Sequence, residues 1–174
     1  KRVSLPVPGR DGPAFYVLRK PAGYGPGQMP PLIIALHGTD DTAEQMVDFW
    51  AARSMRIPAL IAAPQGVGPG WRDSDTVIIR AMFTHLQANV AYDSQRVLLA
   101  GFSAGGAMSL QLLYVEQAPV TAVAALANYV PPWITDQQVK ARAHVPVFYA
   151  VGMEDINHER MREGLQRLRA AGAR

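Results

Sequence analysis

The feature that most constrains this chain is a glycine-rich turn, Gly101-Phe102-Ser103-Ala104-Gly105-Gly106, directly after the apolar run Arg96-Val97-Leu98-Leu99-Ala100. The apolar run predicts a strand, and residues 104–117 predict a helix, so the chain must turn sharply between them. Glycine at both ends of the turn removes Cβ atoms that would clash there. The segment therefore predicts a strand–turn–helix unit with Ser103 at its apex.

The pattern G-x-S-x-G in this setting favours a nucleophilic serine. A sharp turn holds Ser103 Oγ clear of the backbone at a helix start, where free N–H groups and the positive end of the helix dipole stabilise an oxyanion. The alternative is a glycine-rich helix start with an incidental serine, because so short a pattern often arises by chance. The strand before it and the helix after it favour the nucleophile.

Size and composition exclude several classes of protein. The 174 residues, 49% hydrophobic and 18% charged, predict a single globular domain over residues 1–174. The net charge is +3, and the arginines of the last predicted helix are interspersed with Glu159 and Glu163, which indicates a solvated helix face and no nucleic-acid partner. The chain has no cysteine, and no apolar run is long enough for a membrane span. Cytoplasmic and secreted locations both remain open.

Apolar runs alternate with helical periodicities along the whole chain. The predicted strands are 15–19 (interpreted as an edge strand), 32–36, 59–62, 97–100, 120–127 and 145–151. The predicted helices are 42–55 with Thr42 as N-cap, 75–91 with Val77, Ile78, Ala81, Met82 and Leu86 on one face, 104–117, 135–143 and 157–171. This alternation predicts the α/β class: a doubly wound, mainly parallel sheet with helices on both faces.

The residues after the first central strand are His37-Gly38-Thr39-Asp40. Ligands of such sheets bind beyond the carboxyl ends of the strands, so this turn borders the predicted substrate pocket at His37 and Gly38. The Thr39 and Ala104 backbone N–H groups together predict a two-donor oxyanion hole. The side chain of His37 is interpreted as part of a turn held by local hydrogen bonds.

The last predicted strand is followed by Gly152-Met153-Glu154-Asp155. A carboxylate here lies at the same sheet edge as Ser103, where it could orient a histidine and stabilise its imidazolium form. Asp155 is preferred for this role by its position in the motif, and Glu154 is the competing choice. Either carboxylate could instead cap the following helix.

A third loop, residues 64–73, is rich in glycine and carries Trp71. One interpretation makes Trp71 a wall of the substrate pocket. The other folds it onto the rim of the sheet. The sequence does not separate the two.

These residues together resemble the α/β-hydrolase superfamily, and within it the small serine carboxylesterases of the phospholipase/carboxylesterase and polyhydroxybutyrate-depolymerase-like branches. The matching pieces are residues 31–38, 63–66 with Trp71, 93–109, 145–147, Gly152 and Asp155. The resemblance implies Ser103 as nucleophile, Asp155 as triad acid, oxyanion donors at Thr39 and Ala104, and no metal or organic cofactor. It also implies a lidless site for a small-molecule or polymer-borne ester.

The chain departs from this family in one respect. The family's triad runs in the order Ser, acid, His, and its histidine follows one more strand beyond the last predicted helix. That strand, the helix after it and the histidine are expected to be lacking here. His158 follows Asp155 and is a candidate base only if an unusual loop carried it to Ser103; a helix-start histidine is the simpler interpretation. His85 and His144 precede the acid and are not placed for catalysis.

The sequence therefore predicts a serine hydrolase that cleaves carboxylic esters through an acyl-enzyme on Ser103. The alternative is a non-catalytic α/β-hydrolase-like binding protein, or an inactive fragment, because the triad histidine is not evident. A peptidase of the same fold is less favoured. An unprotected sheet edge would favour pairing of subunits, which makes a homodimer possible.

Overall fold

The fold is a single β-sheet with helices on both sides, and the computed structural model describes residues 1–7, 14–53 and 56–174. The strands are β1 (Arg2–Leu5), β2 (Ala14–Arg19), β3 (Leu32–Leu36), β4 (Leu60–Pro64), β5 (Val97–Phe102), β6 (Ala122–Leu126) and β7 (Val147–Ala150). They are arranged in the order β1-β2-β4-β3-β5-β6-β7. β2 runs antiparallel to β1 and β4, and the pairs from β4 to β7 are parallel.

The helices divide between the two faces of the sheet, as the α/β prediction requires. They are α1 (Ala43–Arg53), α2 (Thr76–Asn89), α3 (Ala104–Tyr114), α4 (Asp136–Ala141) and α5 (His158–Ala170). The buried apolar residues of α1 belong to one cluster, and those of α2, α3 and α4, together with Leu168 of α5, belong to a second. In β3, Ile33 joins the α1 cluster and Ile34 joins the other, because successive strand residues point to opposite faces.

The prediction that residues 15–19 form an edge strand is wrong. The strand exists as β2, but β1 pairs with it antiparallel, with Arg2 opposite Val17 and Leu5 opposite Ala14. β1 has four residues and was not predicted, because so short a run at a chain end has too few positions to establish an alternation. Among the described residues, the edge strands of the sheet are therefore β1 and β7.

The start of α1 confirms the predicted N-cap. The Gln45 N–H lies 3.3 Å from Thr42 Oγ1, and the Thr42 N–H donates to Gln45 Oε1 at 2.7 Å. These reciprocal bonds form a capping box, which satisfies donors that a helix start otherwise leaves unpaired. α1 ends at Arg53; its predicted end at Met55 lies outside the described residues.

The predicted inner face of α2 is wrong at one residue. Val77 is 43% exposed, whereas Ile79 is fully buried beside Ile78 and Met82. A short 3₁₀ turn, Asp73–Asp75, precedes α2. Which side of a helix is buried depends on what packs against it, so the sequence periodicity placed the apolar stripe slightly too far toward Val77.

The sheet face around β7 leaves two aromatic side chains exposed. α1 packs against β2, β3 and β4, whereas Phe148 of β7 is 65% exposed and Phe102 at the end of β5 is 45% exposed. Phe148 is paired with Ala124, which is paired with Ala100, so these side chains share one apolar row. Within the described residues, no helix is long and apolar enough to cross a membrane.

Candidate active site

The turn from β5 to α3 places Ser103 in a backbone conformation that few non-glycine residues adopt. Its φ is 53° and its ψ is −117°. Strain of this kind costs about 1–3 kcal/mol and persists only where the surroundings impose it. Here the Ser103 N–H donates to the Leu126 carbonyl at 2.9 Å, and the Ser103 carbonyl accepts from the Gly106 N–H at 2.9 Å. The serine is thus held between β6 and the first turn of α3.

The glycines around Ser103 lie where a side chain has no room, as the sequence predicts. A Cβ atom on Gly101 would lie less than 3.0 Å from the Gly105 carbonyl and from Ser109 Oγ. A Cβ atom on Gly105 would lie less than 3.0 Å from the Leu36 carbonyl. The first turn of α3 therefore packs backbone to backbone on β5 and on the end of β3. This contact places the N-terminus of α3 at the carboxyl ends of the strands.

Thr39 and Ala104 lie close to each other at the carboxyl ends of the strands. Leu36 is paired with Gly101, so the turn after β3 and the turn after β5 are neighbours. A Cβ atom on Gly70 would be 3.5 Å from Thr39 Oγ1 and 3.7 Å from Ala104 Cβ. The Ala104 N–H is the first of α3 and has no intrahelical acceptor. Within the described parts of the chain, the Thr39 N–H likewise donates to no protein acceptor.

The ring of His37 is enclosed by protein. It is fully buried, with Nδ1 2.7 Å from the Gly38 carbonyl and Nε2 3.1 Å from the Gly66 N–H. The indole of Trp71 stacks on it at 4.6 Å between ring centroids and donates Nε1–H to the His37 carbonyl at 2.8 Å. The indole remains partly exposed, and the interpretation of Trp71 as a wall of the substrate pocket stays a prediction. The His37 side chain thus contacts its neighbouring loop rather than open solvent.

Asp155 follows β7, two strands away from Ser103, which corresponds to about 10 Å between the strand axes. Its side chain is partly buried, and Oδ1 accepts from the Asn157 N–H at 2.8 Å. Glu154 is exposed. His158 is the first residue of α5, and its Nδ1–H donates to the Gly152 carbonyl at 2.9 Å.

The structure does not bring a histidine to Ser103. All four histidines lie in the described residues, and none hydrogen-bonds Ser103 Oγ or the Asp155 carboxylate. His85 pairs with the buried Tyr16 hydroxyl at 3.0 Å, and His144 is exposed just before β7. Across the same described parts of the chain, no group of three or more His, Asp or Glu side chains could hold a metal ion.

One buried residue at this edge was missed by sequence reasoning. Asn128 follows β6, between the strands that carry Ser103 and Asp155, and is 3% exposed. Its side chain packs on Gly106, where a Cβ atom would lie 2.6 Å from Asn128 Oδ1, and its carbonyl accepts from the Tyr149 hydroxyl. Burial raises the pKa of Tyr149 to about 12, so this hydroxyl remains a donor at neutral pH. The sequence signal that could have identified Asn128 is its position as a polar residue just after a buried strand.

Comparison with known proteins relates this geometry to a family. The sequence profile of the family described as Phospholipase/Carboxylesterase matches residues 73–165, more than half of the chain. The protein named probable feruloyl esterase C from Aspergillus terreus is 28% identical over 123 residues, which are 65% of this chain and 46% of that protein. The chain spans about half the length of the curated relatives it matches.

Solved structures share the fold. A thermostable esterase superposes with a TM-score of 0.81 at 16% identity, over 99% of this chain and 52% of that one. The poly(3-hydroxybutyrate) depolymerase LpqC from Bordetella parapertussis superposes with a TM-score of 0.71 at 22% identity, over 91% of this chain and 72% of that one. At these identities the likeness establishes the fold, a mainly parallel sheet of the α/β-hydrolase type.

Proposed function

Because this chain belongs to the phospholipase/carboxylesterase family, we propose that it hydrolyses carboxylic esters through an acyl-enzyme formed on Ser103. The observation that carries the proposal is the conformation of Ser103, which stands at φ 53° where β5 meets the N-terminus of α3. A strained non-glycine residue at a helix N-terminus presents its side chain beside free N–H donors. This is the arrangement that acyl transfer requires.

The proposed reaction begins when Ser103 Oγ attacks the ester carbonyl carbon and gives its proton to a general base. The carbonyl oxygen becomes an oxyanion that accepts hydrogen bonds from the Thr39 and Ala104 N–H groups. Each such donor is worth about 10²–10³ in kcat in comparable enzymes. The base then protonates the leaving alcohol, and water attacks the acyl-enzyme to release the acid and restore Ser103.

The substrate class follows from the same resemblance. Two curated relatives carry the name feruloyl esterase C, so we propose an ester borne on a small molecule or a polymer, with feruloyl esters as the first candidates. Phe102, which precedes Ser103 and is 45% exposed, offers an aromatic contact near the nucleophile. Hydrolysis of methyl ferulate beside p-nitrophenyl acetate separates an aromatic acyl preference from a small-acyl preference.

Labelling by a fluorophosphonate probe tests the proposal directly. We expect rapid stoichiometric labelling of the protein and none of Ser103→Ala, because only an activated serine attacks the phosphorus atom quickly. Peptide mass spectrometry would locate the label. Labelling that persists in Ser103→Ala would overturn the assignment.

A second candidate is a binding protein that keeps the crevice without turnover. The observation that favours it is that, within the described residues, no histidine side chain hydrogen-bonds Ser103 Oγ or the Asp155 carboxylate. The His158 ring is bonded to Gly152 in the loop after β7, two strands away from the strand that carries Ser103. Absence of fluorophosphonate labelling in a folded protein would support the binding protein, since a serine without a base is a weak nucleophile.

Where Ser103 turns over with a histidine as its general base, we expect Asp155→Asn to lower kcat by about 10³–10⁴-fold, because an amide at this position cannot stabilise the imidazolium or hold the required tautomer. Glu154→Gln is the matched control, since Glu154 is adjacent in sequence and exposed. It should change kcat by less than about threefold. Steady-state hydrolysis of p-nitrophenyl acetate measures both variants. Equal losses in the two, or a larger loss in Glu154→Gln, would reject Asp155 as the acid.

We also propose that the chain self-associates through the sheet face around β7. Phe148 is 65% exposed on an apolar row of a mostly parallel sheet, and both faces of such sheets are usually covered. Phe148→Ser should therefore shift the protein toward monomer at equal concentration. Sedimentation velocity measures the change. The proposed self-association is contradicted if the wild-type protein is monomeric both at high concentration and after 100-fold dilution.

A further inference from the structure

A buried histidine joins the two loops at the carboxyl end of the sheet. His37 follows β3, and its Nε2 lies 3.1 Å from the Gly66 N–H in the loop after β4. Gln65 links the same loop to α1, since its Oε1 accepts from the Ala43 N–H at 2.9 Å and its Nε2 lies 3.3 Å from His37 Nε2. Because the ring has no exposed surface, water cannot replace these partners.

The partners of His37 determine its protonation pattern. A backbone N–H only donates, so Nε2 must accept from Gly66 and carries no proton. A carbonyl oxygen only accepts, so Nδ1 carries the proton that it donates to Gly38 at 2.7 Å. A single neutral tautomer satisfies both contacts, with Nδ1 as the hydrogen-bond donor and Nε2 as the acceptor.

The two loops meet beside the oxyanion donors. The Asp40 N–H donates to the Pro69 carbonyl at 2.6 Å, and Asp40 has a φ of 63°, which is unusual for a non-glycine residue. Gly70 of the second loop approaches both Thr39 and Ala104. The Thr39 N–H therefore lies in a turn between two neighbours. The loop after β4 contacts this turn on one side, and the start of α3 lies on the other.

We propose that His37 is a positioning residue that sets the Thr39 N–H for the oxyanion by accepting the hydrogen bond from Gly66. The Trp71 indole, stacked on the ring and bonded to the His37 carbonyl, keeps the imidazole plane in place. This inference rests on the proposed function, and it adds that the loop after β4 contributes to catalysis without touching substrate.

Two substitutions separate the two ring nitrogens. In His37→Gln, the side-chain carbonyl can reach the Nε2 position and accept from Gly66, whereas in His37→Asn the amide replaces Nδ1 and leaves Gly66 without an acceptor. We expect His37→Asn to lower kcat for p-nitrophenyl acetate about 10–100-fold with KM within about threefold, since an oxyanion donor acts in the transition state. His37→Gln should keep kcat within about fivefold of wild type.

The control is His85→Gln, whose amide reaches the Nε2 position and so leaves the Tyr16 hydroxyl without its Nδ1 partner, away from Ser103. It should lower the melting temperature without changing kcat. Amide hydrogen exchange at Gly66 reports the bond itself and should accelerate at least about tenfold in His37→Asn but not in His37→Gln. All rates are taken well below each melting temperature, so that every variant is fully folded.

The outcomes separate this inference from the proposed function. Equal loss of kcat in both His37 variants, or faster Gly66 exchange with unchanged kcat, overturns the positioning role. If the wild type shows no Ser103-dependent turnover, the proposed function fails. The inference is then decided by the NMR chemical shift of the Thr39 amide. That chemical shift should change in His37→Asn and remain that of wild type in His37→Gln. The same chemical shift in both variants overturns the positioning role.

Discussion

Ser103→Ala is expected to lower kcat for p-nitrophenyl acetate and butyrate by about 10⁴-fold or more. Loss of the nucleophile removes the acyl-enzyme route, and serine hydrolases stripped of that residue keep only what binding and the oxyanion donors supply. Alanine keeps the Cβ atom and therefore the same backbone strain at φ 53°. The free energy of unfolding should for this reason remain within about 0.5 kcal/mol of wild type. Steady-state hydrolysis and urea unfolding measure the two quantities.

Matched variants make this result specific. Ser94→Ala replaces an exposed serine in the turn before β5 and should leave kcat unchanged. His158→Gln should change kcat by less than about threefold, because the His158 ring is bonded to the Gly152 carbonyl after β7 and makes no hydrogen bond with Ser103 within the described residues. A loss in His158→Gln comparable to that in Ser103→Ala would identify His158 as the general base. Unchanged kcat in Ser103→Ala would remove Ser103 from the mechanism altogether.

Gly101→Ala is expected to destabilise the fold by about 3 kcal/mol or more. The added methyl group would lie less than 3.0 Å from the Gly105 carbonyl and from Ser109 Oγ. The carbonyl belongs to the backbone of α3, and Ser109 Oγ already donates to that same carbonyl at 2.8 Å. Overpacking of side chains typically costs 1–3 kcal/mol, and here the neighbours cannot rotate away. Relief would require α3 to move off β5, which would also displace Ser103.

Gly25→Ala is the matched control for that substitution. Gly25 lies in a surface turn where a Cβ atom would meet its nearest neighbour at 3.9 Å, so we expect a change within about 0.5 kcal/mol. Urea unfolding followed by tryptophan fluorescence and far-ultraviolet circular dichroism gives both values. If Gly101→Ala unfolds at the same urea concentration as wild type, the backbone contact between β5 and α3 is not as close as described.

Local pattern alone predicted the parts of this fold that depend on near neighbours in sequence. The apolar run at 32–36 predicted β3 with the bounds that it has, and Thr42 predicted the start of α1. The edge strand at 15–19 and the inner face of α2 were wrong because both depend on distant packing. A strand lies at an edge only if nothing pairs beside it, and β1 does.

The candidate site divides in the same way. The turn at Ser103 follows from its own residues, since glycine at 101 and 105 is what a sharp strand–helix junction needs in any setting. The partly buried position of Asp155 and the exposed one of Glu154 could not be separated by sequence, because adjacent residues in a turn differ only in how the rest of the protein surrounds them.

By itself, the sequence determined the α/β alternation and the strand–turn–helix unit around Ser103, because hydrophobic period and steric fit act over a few residues. Only the tertiary structure decided the strand order, the stacking of Trp71 on His37 and the bond from Gly66 to His37. Those last two contacts join residues 34 and 29 positions apart. Such pairs depend on how the loops pack together at the carboxyl ends of the strands. No local sequence pattern predicts which partner a buried imidazole will have.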